Sequence, residues 1–293
     1  MAEQTKMYWL HTLTPLHVGV GFGLGFIDLP IMREKVTNWP IVPGSAIKGV
    51  LLDDARQKKS PLVKAAFGTG GEEHSNAGAL VFTDARLVCL PVRSLYGTFA
   101  WVSSALGLER LRRDLEAAGI ADGLPARIEV PQQEIHLPQG SALQGPGGKV
   151  FLADLDFTRK ETEAARIWAQ KLAGCIFSQE PDWQTEFLKR FAILPDGSFD
   201  FLCETGTEVA ARIRISPEQK TVARGALWYE EYLPAETVLA GLVWCDRVFS
   251  GDGATQEQLL KEFCTDPAKL QIGGKATIGK GRVRCVFGGS HAR

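Results

Sequence analysis

A glycine-rich basic segment near the end of the chain has the composition of a phosphate-binding loop. Residues 273–281 read GGKATIGKG, and an arginine follows. Glycines leave backbone N–H groups accessible to phosphate oxygens, and the basic side chains add positive charge. The residues that would make these contacts are Gly273, Gly274, Lys275, Gly279, Lys280, Gly281 and Arg282. The sequence predicts an anion-binding surface here, and Lys48, on the first turns of a predicted helix, marks a second. A solvated basic turn is the alternative.

Three side chains are candidates for proton transfer or metal binding. Asp28 follows an alternating glycine run over residues 19–25, His17 precedes that run, and Glu230 belongs to the segment WYEEY at 228–232. A carboxylate can bind a divalent cation, and a histidine can transfer a proton near neutral pH. Each also has a structural interpretation, as a turn aspartate, a strand histidine and a strand-edge glutamate. From chemistry alone, the pattern indicates an anion or nucleic-acid binder.

Several other site classes are excluded by spacing. The dinucleotide pattern G-x-G-x-x-G fails from Gly19, because Leu24 occupies the third glycine position, and from Gly21, because Phe26 does. No P-loop sequence occurs, and no serine or cysteine lies in a nucleophile elbow. The six cysteines are scattered singly, without the spacing of a zinc site. The glycine run therefore predicts either a flexible turn or a loop whose backbone approaches a ligand closely.

Composition describes an ordinary globular protein. The chain has 293 residues, 45% apolar and 23% charged, with a net charge of -1. This length and apolar content are enough to bury a large core without a disulfide or metal. Residues 267–293 carry six basic side chains and no acidic one, so anion binding is expected to be local. The N-terminus lacks a signal-peptide core, and no apolar run could span a bilayer. Together with the cysteine pattern, this predicts a reduced, cytoplasmic protein without membrane contact.

The elements that must position these residues mix strands and helices along the whole chain. Strands are predicted over 7–14, 79–90, 199–204, 207–215, 221–232, 237–246 and 282–287. Helices are predicted over 46–59, with Ser45 as its cap, and over 94–118, 161–175, 183–194 and 255–264. Residues 131–148, rich in proline, glutamine and glycine, are interpreted as an excursion from the core. The mixture favours one α+β domain over residues 1–293 with long insertions.

Eight sequence blocks, taken in order, resemble one family. They are TPLHVG at 14–19, IDLPIMRE at 27–34, IVPGSAIKG at 41–49, FTDAR at 82–86, PVRSL at 91–95, FAWV at 99–102, GALWYEEYLP at 225–234 and IGGKATIGKG at 272–281. In these blocks the chain is similar to the backbone RAMP subunit of type III-B CRISPR (Cmr) effector complexes, and the match spans nearly its whole length. At Lys275-Ala276 it departs from the pattern, where a more acidic or amide-bearing pair is expected.

The resemblance implies a ferredoxin-like, RRM-related palm with a protruding β-hairpin thumb at about residues 207–227. It implies copies stacked in a helical filament along a guide RNA, whose thumbs splay target nucleotides at regular intervals. The implied wedge residues are Ile213, Ile215 and Val222. The residues implied to hold guide-RNA phosphates are Gly44, Ser45, Lys48 and those of the basic loop at 273–282. The implied partners are guide RNA, target RNA, further copies, a large polymerase/cyclase-like subunit, a small helical subunit and guide-end-capping RAMP subunits.

The resemblance also implies catalysis of target-RNA cleavage by Asp28. The expected reaction is attack by the RNA's own 2′-OH, assisted by a weakly bound Mg²⁺ or Mn²⁺ ion at Asp28, which leaves a 2′,3′-cyclic phosphate and a 5′-hydroxyl. His17 and Glu230 are secondary candidates for proton transfer or orientation.

Two alternatives stay open. The chain could be a non-catalytic guide-RNA-binding scaffold of the same complex. It could also be a metal-independent, guide-processing RAMP endoribonuclease that relies on His11 and His17.

Overall fold

The computed structural model describes residues 5–23, 25–69, 76–215, 222–249, 253–265 and 268–288, with the backbone alone for 215 and 222–226. The strands are β1 (Lys6–Thr12), β2 (Ile41–Val42), β3 (Gly68–Thr69), β4 (Asn76–Ala77), β5 (Leu80–Phe82), β6 (Ala85–Arg93), β7 (Phe99–Ser104), β8 (Glu134–Leu137), β9 (Lys149–Leu152), β10 (Leu155–Glu161), β11 (Phe191–Leu194), β12 (Glu208–Ile215), β13 (Val222–Tyr232), β14 (Val238–Cys245), β15 (Ala268–Gln271) and β16 (Arg282–Phe287). The α-helices are α1 (Gly44–Gln57), α2 (Val63–Phe67), α3 (Ala105–Ala117), α4 (Glu163–Ile176), α5 (Pro181–Arg190), α6 (Asp196–Thr205) and α7 (Gln256–Phe263).

A twelve-stranded mixed sheet organises the protein, which confirms the α+β class. Its order is β15-β16-β1-β14-β6-β7-β11-β8-β10-β9, with β2 beside β6 and β5 beside β14. The four strands β16-β1-β14-β6 pair antiparallel at one end. Helix α1 follows β1 in the chain, and α7 lies between β14 and β16. The long segment between β6 and β14 adds the strands that extend the sheet beyond β6.

Strand β1 is buried on both faces because helices cover the sheet from both sides. Tyr8 and Leu10 pack in one core cluster, with side chains of α1, α6 and α7. Met7 and Trp9 point the other way, as strand geometry requires, and pack with side chains of α3, α4 and α5. The apolar run in β1 therefore reflects two cores that share one strand.

Four of the sequence predictions are corrected by the structure. Residues 199–204 form part of helix α6, because Phe199, Leu202 and Cys203 lie at helical spacing and are buried together. The predicted helices over 94–118 and 183–194 contain strands β7 and β11. Both strands are buried on both faces, so their apolar runs lack the alternation that marks a half-buried strand. The excursion at 131–148 contributes β8, which pairs with β10 and β11 within the main sheet.

The first helix begins one residue earlier than its predicted cap. Helix α1 starts at Gly44, and Ser45 makes no capping hydrogen bond. Asp84 accepts the Gly44 N–H at 2.9 Å instead. A Cβ atom at position 44 would lie 2.3 Å from the carbonyl oxygen of Phe82, so this glycine allows the helix to start against the β5–β6 turn.

The predicted hairpin is present, and its strands, predicted over 207–215 and 221–232, span 208–215 and 222–232. Strands β12 and β13 form a separate antiparallel two-stranded sheet in which Glu208 pairs with Tyr232 and Ile215 pairs with Val222. A register irregularity falls between Ile213 and Ile215. The predicted turn at 217–220 lies outside the described residues. In the part of the chain that is described, no helix has the length and apolarity needed to cross a membrane.

Candidate functional site

The turn that carries Asp28 lies against strand β13. Asp28 Oδ2 accepts the Tyr229 N–H at 2.7 Å. Leu29 N–H donates to the Tyr229 carbonyl at 3.0 Å, and the Glu231 N–H donates to the Leu29 carbonyl at 3.0 Å. Asp28 is half-buried, and among the described residues its Oδ1 has no hydrogen-bond partner. The carboxylate is therefore held through one oxygen, and the other is able to take a ligand.

His17 is oriented by the same strand. Its Nδ1 lies 2.7 Å from the carbonyl oxygen of Glu231. Because a carbonyl can only accept, Nδ1 carries the proton, and Nε2 of the neutral ring is the basic nitrogen. A Cβ atom at position 19 would lie 2.6 Å from that Nε2, so Gly19 makes room for the ring. Residues 229–231 thus hold both Asp28 and His17.

Glu230 forms the centre of a buried ionic cluster. Its side chain is 1% exposed, and Oε1 accepts from Lys275 Nζ at 2.5 Å and from Trp228 Nε1 at 2.7 Å. Oε2 accepts from Arg212 Nε at 3.2 Å and from the Tyr232 hydroxyl. Burial alone would raise the pKa of Glu230, but the hydrogen bonds from Lys275, Tyr232 and Trp228 outweigh it and lower the pKa to about 2. Such a carboxylate stays charged near neutral pH, which suits orientation rather than proton transfer.

Glu231, which stands beside Glu230 in WYEEY and shares its interpretation as a second carboxylate or a strand-edge residue, is also buried. Its Oε1 accepts from Arg33 Nη2 at 2.6 Å and from Thr207 Oγ1 at 2.9 Å, and its Oε2 accepts the Ile31 N–H at 3.0 Å. Arg33 also donates to the carbonyl of Cys203 at 3.0 Å. The side chain therefore fixes the segment after Asp28 to the start of the hairpin. The only sequence signal was the adjacent pair of glutamates in WYEEY.

The predicted phosphate-binding loop at 273–281 folds back on the chain near His17. The Gly274 N–H donates to the His17 carbonyl at 2.9 Å, and the Gly281 N–H donates to the Pro15 carbonyl at 2.9 Å. A Cβ atom at position 273 would lie 2.1 Å from the His17 carbonyl oxygen, so this glycine, at φ 75°, serves a close backbone contact. The expectation of uniformly accessible amides is wrong for Gly281, which is buried.

Two further amides of this loop also have partners within it. The Gly279 N–H donates to the Ala276 carbonyl at 2.9 Å, and the Lys280 N–H donates to the Lys275 carbonyl at 3.2 Å. Internal hydrogen bonds therefore occupy amides that were expected to face phosphates.

The basic side chains of the loop differ in their availability. Lys275 pairs with Glu230, which explains why a lysine is accommodated at the position where an acidic or amide side chain was expected. The Lys280 ammonium lies 4.8 Å from the ring centroid of Tyr232. Arg282 is exposed. Arg282 is thus the side chain of this group that is most available to an anion.

The predicted site at the start of α1 lies beside strand β5. Lys48 Nζ donates to the Leu80 carbonyl at 2.8 Å, and burial lowers its pKa. Gly44 is buried, whereas Ser45 is exposed.

Of the predicted wedge residues, Ile213 is 50% exposed on the hairpin. The side chains of Ile215 and Val222 lie outside the described residues.

A dense metal centre is absent from the described residues, where no group of three or more histidine, cysteine or acidic side chains converges. The donor set that remains is the carboxylate of Asp28, because hydrogen bonds occupy both oxygens of Glu230 and of Glu231. One carboxylate fits a hard cation that keeps most of its ligands as water. It does not fit a tight, all-protein site.

Comparison with known proteins decides the family. The sequence profile of the RAMP superfamily matches residues 9–284. The chain belongs to the RAMP superfamily. This RAMP protein is 36% identical to the Cmr endoribonuclease Cmr4 of the Pyrococcus furiosus CRISPR system, in an alignment that covers 97% of this chain and 98% of that protein.

Solved structures agree with this assignment. The crystal structure of oligomeric Cmr4 from Pyrococcus furiosus matches this RAMP protein with a TM-score of 0.74 and 27% identity, over 98% of each chain. A chain in the cryo-EM structure of type III-B Cmr-beta bound to cognate target RNA matches with a TM-score of 0.75 at 18% identity, over 98% of each chain, and shows the same fold. The resemblance to the backbone RAMP subunits of type III-B effector complexes is confirmed.

Proposed function

We propose that this protein binds guide RNA as a repeated filament subunit and cleaves complementary target RNA through Asp28. The observation that carries the proposal is the state of Asp28: its carboxylate is half-buried, anchored through Oδ2 to the Tyr229 N–H, and has no described partner on Oδ1. The 36% identical Pyrococcus protein is named an endoribonuclease, which supports the same activity. Among the buried carboxylates beside it, both oxygens of Glu230 and both oxygens of Glu231 already accept hydrogen bonds.

RNA supplies its own nucleophile, so the protein needs few reactive groups. The 2′-OH beside a scissile phosphate must be brought in line with the leaving oxygen, and such alignment supplies a large part of the rate enhancement. We assign this alignment to the β12–β13 hairpin as the thumb. In this assignment Asp28 faces the reacting phosphate. Glu230 joins the two strands of the hairpin through Arg212 and connects the hairpin to the 273–281 loop through Lys275. His17, with Nε2 as its basic nitrogen, is the candidate for moving a proton.

Asp28 is also the residue that would hold a Mg²⁺ or Mn²⁺ ion. When bound, such a cation polarises a phosphoryl oxygen and offsets developing negative charge. The contribution of this chain is one carboxylate oxygen with a fixed orientation, and the remaining ligands would come from water and RNA. A site of this kind is weak by itself.

The finer architecture belongs to the same proposal. The strand order β16-β1-β14-β6, with α1 after β1 and α7 before β16, is the arrangement expected of a ferredoxin-like palm. We assign guide-RNA contact to the exposed Arg282 and Ser45 and to Lys48, which would have to leave the Leu80 carbonyl. The single-domain organisation, the cytoplasmic location and the further Cmr subunits as partners stay predictions.

The test is target-RNA cleavage by the reconstituted complex, with Asp28→Asn compared with wild type, with and without EDTA. We expect an evenly spaced ladder of products with 2′,3′-cyclic phosphate ends that disappears in the variant and in EDTA, while target binding is retained. Asp156→Asn, which alters an exposed aspartate of β10, is the matched control and should cut normally. Products with 3′-hydroxyl and 5′-phosphate ends would refute the 2′-OH mechanism.

The scaffold alternative predicts a different outcome from the same experiment. If Asp28→Asn leaves the ladder unchanged while guide RNA stays bound, this subunit does not cut and the nuclease lies elsewhere. The guide-processing alternative loses support from the structure, because its two histidines are held in separate surroundings. His11 is buried, with Nε2 at 2.7 Å from Glu236 and its ring against Phe177, whereas the ring of His17 packs against Tyr232.

A further inference from the structure

An exposed aromatic ring lies in the same turn as Asp28. Phe26 is 79% exposed, and its ring stacks on that of Tyr229 with 5.0 Å between centroids and 28° between planes. The Gly23 N–H donates to the Asp28 carbonyl at 2.8 Å, which closes the turn around Phe26. One face of the Phe26 ring therefore rests on Tyr229 and the opposite face is open to solvent.

The backbone couples this ring pair to the carboxylate of Asp28. Tyr229, whose ring supports Phe26, donates its N–H to Asp28 Oδ2 at 2.7 Å and accepts the Leu29 N–H at 3.0 Å. A planar group stacked on Phe26 would thus be held at a fixed position relative to Asp28. Isolated exposed apolar side chains are common in proteins, but this one is supported from beneath and joined to the candidate catalytic residue.

The chemistry around the ring selects the kind of group that could stack there. The cleft beside Phe26 is lined by Ile27, Pro30, Arg33, Asn38 and the carboxylates of Glu204 and Glu231. Arg33 is committed to Glu231 and to two backbone carbonyls. A phosphate would meet two carboxylates and no uncommitted cation in this lining, so the surroundings disfavour an anion. They suit a neutral planar ring with polar edges, which is the description of a nucleobase.

We propose that Phe26 is a base-binding residue that stacks one unpaired base of the RNA strand being cut, and thereby sets the position of its phosphate relative to Asp28. The proposal rests on the proposed function, because it takes target RNA as the substrate. Stacking on an aromatic ring is independent of base identity. The same subunit can therefore serve any target sequence.

The decisive experiment is a double-mutant cycle between the ring and the base. Cleavage is measured for reconstituted complexes that carry either the wild-type protein or Phe26→Ala. Each complex is given a normal target and a target in which the unpaired nucleotide beside each cut is abasic. We expect Phe26→Ala and the abasic target each to slow single-turnover cleavage roughly tenfold, and the combination to be no slower than either alone, since both remove one contact.

Two further variants separate stacking from bulk. Phe26→Trp keeps an aromatic ring and should cleave the normal target like wild type, whereas Phe26→Leu keeps an apolar side chain and should behave like Phe26→Ala. Val36→Ala changes an apolar side chain that is 91% exposed, and it should leave cleavage unchanged. Additive effects in the cycle, or Phe26→Leu as active as Phe26→Trp, would overturn the proposal.

Failure of the proposed function would look different. If Asp28 is not catalytic, Asp28→Asn still cuts the normal target. Stacking on Phe26 can then still be tested by measuring target affinity for the same four combinations of protein and target. If Phe26 instead packs against another protein copy, Phe26→Ala reduces complex assembly in native mass spectrometry before any RNA is added. That result would overturn base stacking.

Discussion

The turn at residues 25–30 and the ionic cluster around Glu230 and Glu231 both contact strand β13, yet they use their carboxylates in opposite ways. Burying an ionised carboxylate is costly unless it is paired and hydrogen-bonded. Glu230 and Glu231 are buried and saturated by cations, hydroxyls and N–H groups, so they join β12, β13, the 273–281 loop and the segment after Asp28. Asp28 has one anchoring hydrogen bond. Of these three carboxylates, the one with the fewest hydrogen bonds is the one open to a ligand, whereas the two most buried ones stabilise the fold.

The largest expected difference between the two regions is in activity. Asp28→Asn keeps an oxygen to accept the Tyr229 N–H, and we expect cleavage to fall by roughly 10²- to 10⁴-fold with little change in unfolding free energy. Cleavage assays and urea unfolding of the full chain check both parts. A large loss of stability in this variant would contradict the distinction between the regions.

The converse is expected for Glu231. Glu231→Ala leaves Arg33 without its buried partner and removes the acceptor of the Ile31 N–H, so we expect a loss of about 3–5 kcal/mol in the free energy of unfolding. Urea unfolding measures it, with Glu204→Ala, an exposed glutamate, as the control. A change below about 1 kcal/mol would show that this cluster is not a stabilising centre.

The pH dependence of stability should identify Glu230. The pKa of Glu230 is about 2 in the folded protein and 4.5 ordinarily. Because folding lowers this pKa, the charged carboxylate adds to the free energy of unfolding, and the full contribution is present above about pH 4.5. That contribution, up to about 3 kcal/mol, is lost as the pH falls from about 4.5 toward 2. Glu230→Gln should flatten the stability profile in this window. An unchanged slope would mean that Glu230 is not held charged by its partners.

The smallest effect is expected for Phe26. Because its ring is mostly exposed, Phe26→Ala should cost only about 0.5–1 kcal/mol of unfolding free energy, through the lost stack on Tyr229. Urea unfolding beside Glu231→Ala gives the contrast directly. A loss of unfolding free energy as large as that of Glu231→Ala would show that Phe26 stabilises the fold rather than serving the function of the turn.

The glycine-rich loop at 273–281 illustrates where sequence reasoning succeeded and where it failed. Its composition predicted a turn with basic side chains, and the structure has that turn. Sequence could not show that Gly273 is required for a close backbone contact with His17, because the two residues are more than two hundred positions apart. Nor could it show the close contact of Gly281 with Ile272, because the pairing of β15 with β16 brings these two residues together. The pairing of Lys275 with Glu230 was hidden for the same reason.

Sequence patterns were sufficient to predict the family, the α+β class, most helices, the hairpin and the candidacy of Asp28, since these depend on local pattern or on the order of motifs. Strands β7 and β11 could not be predicted, because burial on both faces removes the alternation that identifies a strand. Strand β8 was missed because its pairing with β10 and β11 depends on distant parts of the chain. The tertiary structure also decided which carboxylates are saturated and which is available. Saturation depends on groups that the sheet and hairpin bring together from distant positions, as Asp28 meets Tyr229 and Glu230 meets Lys275.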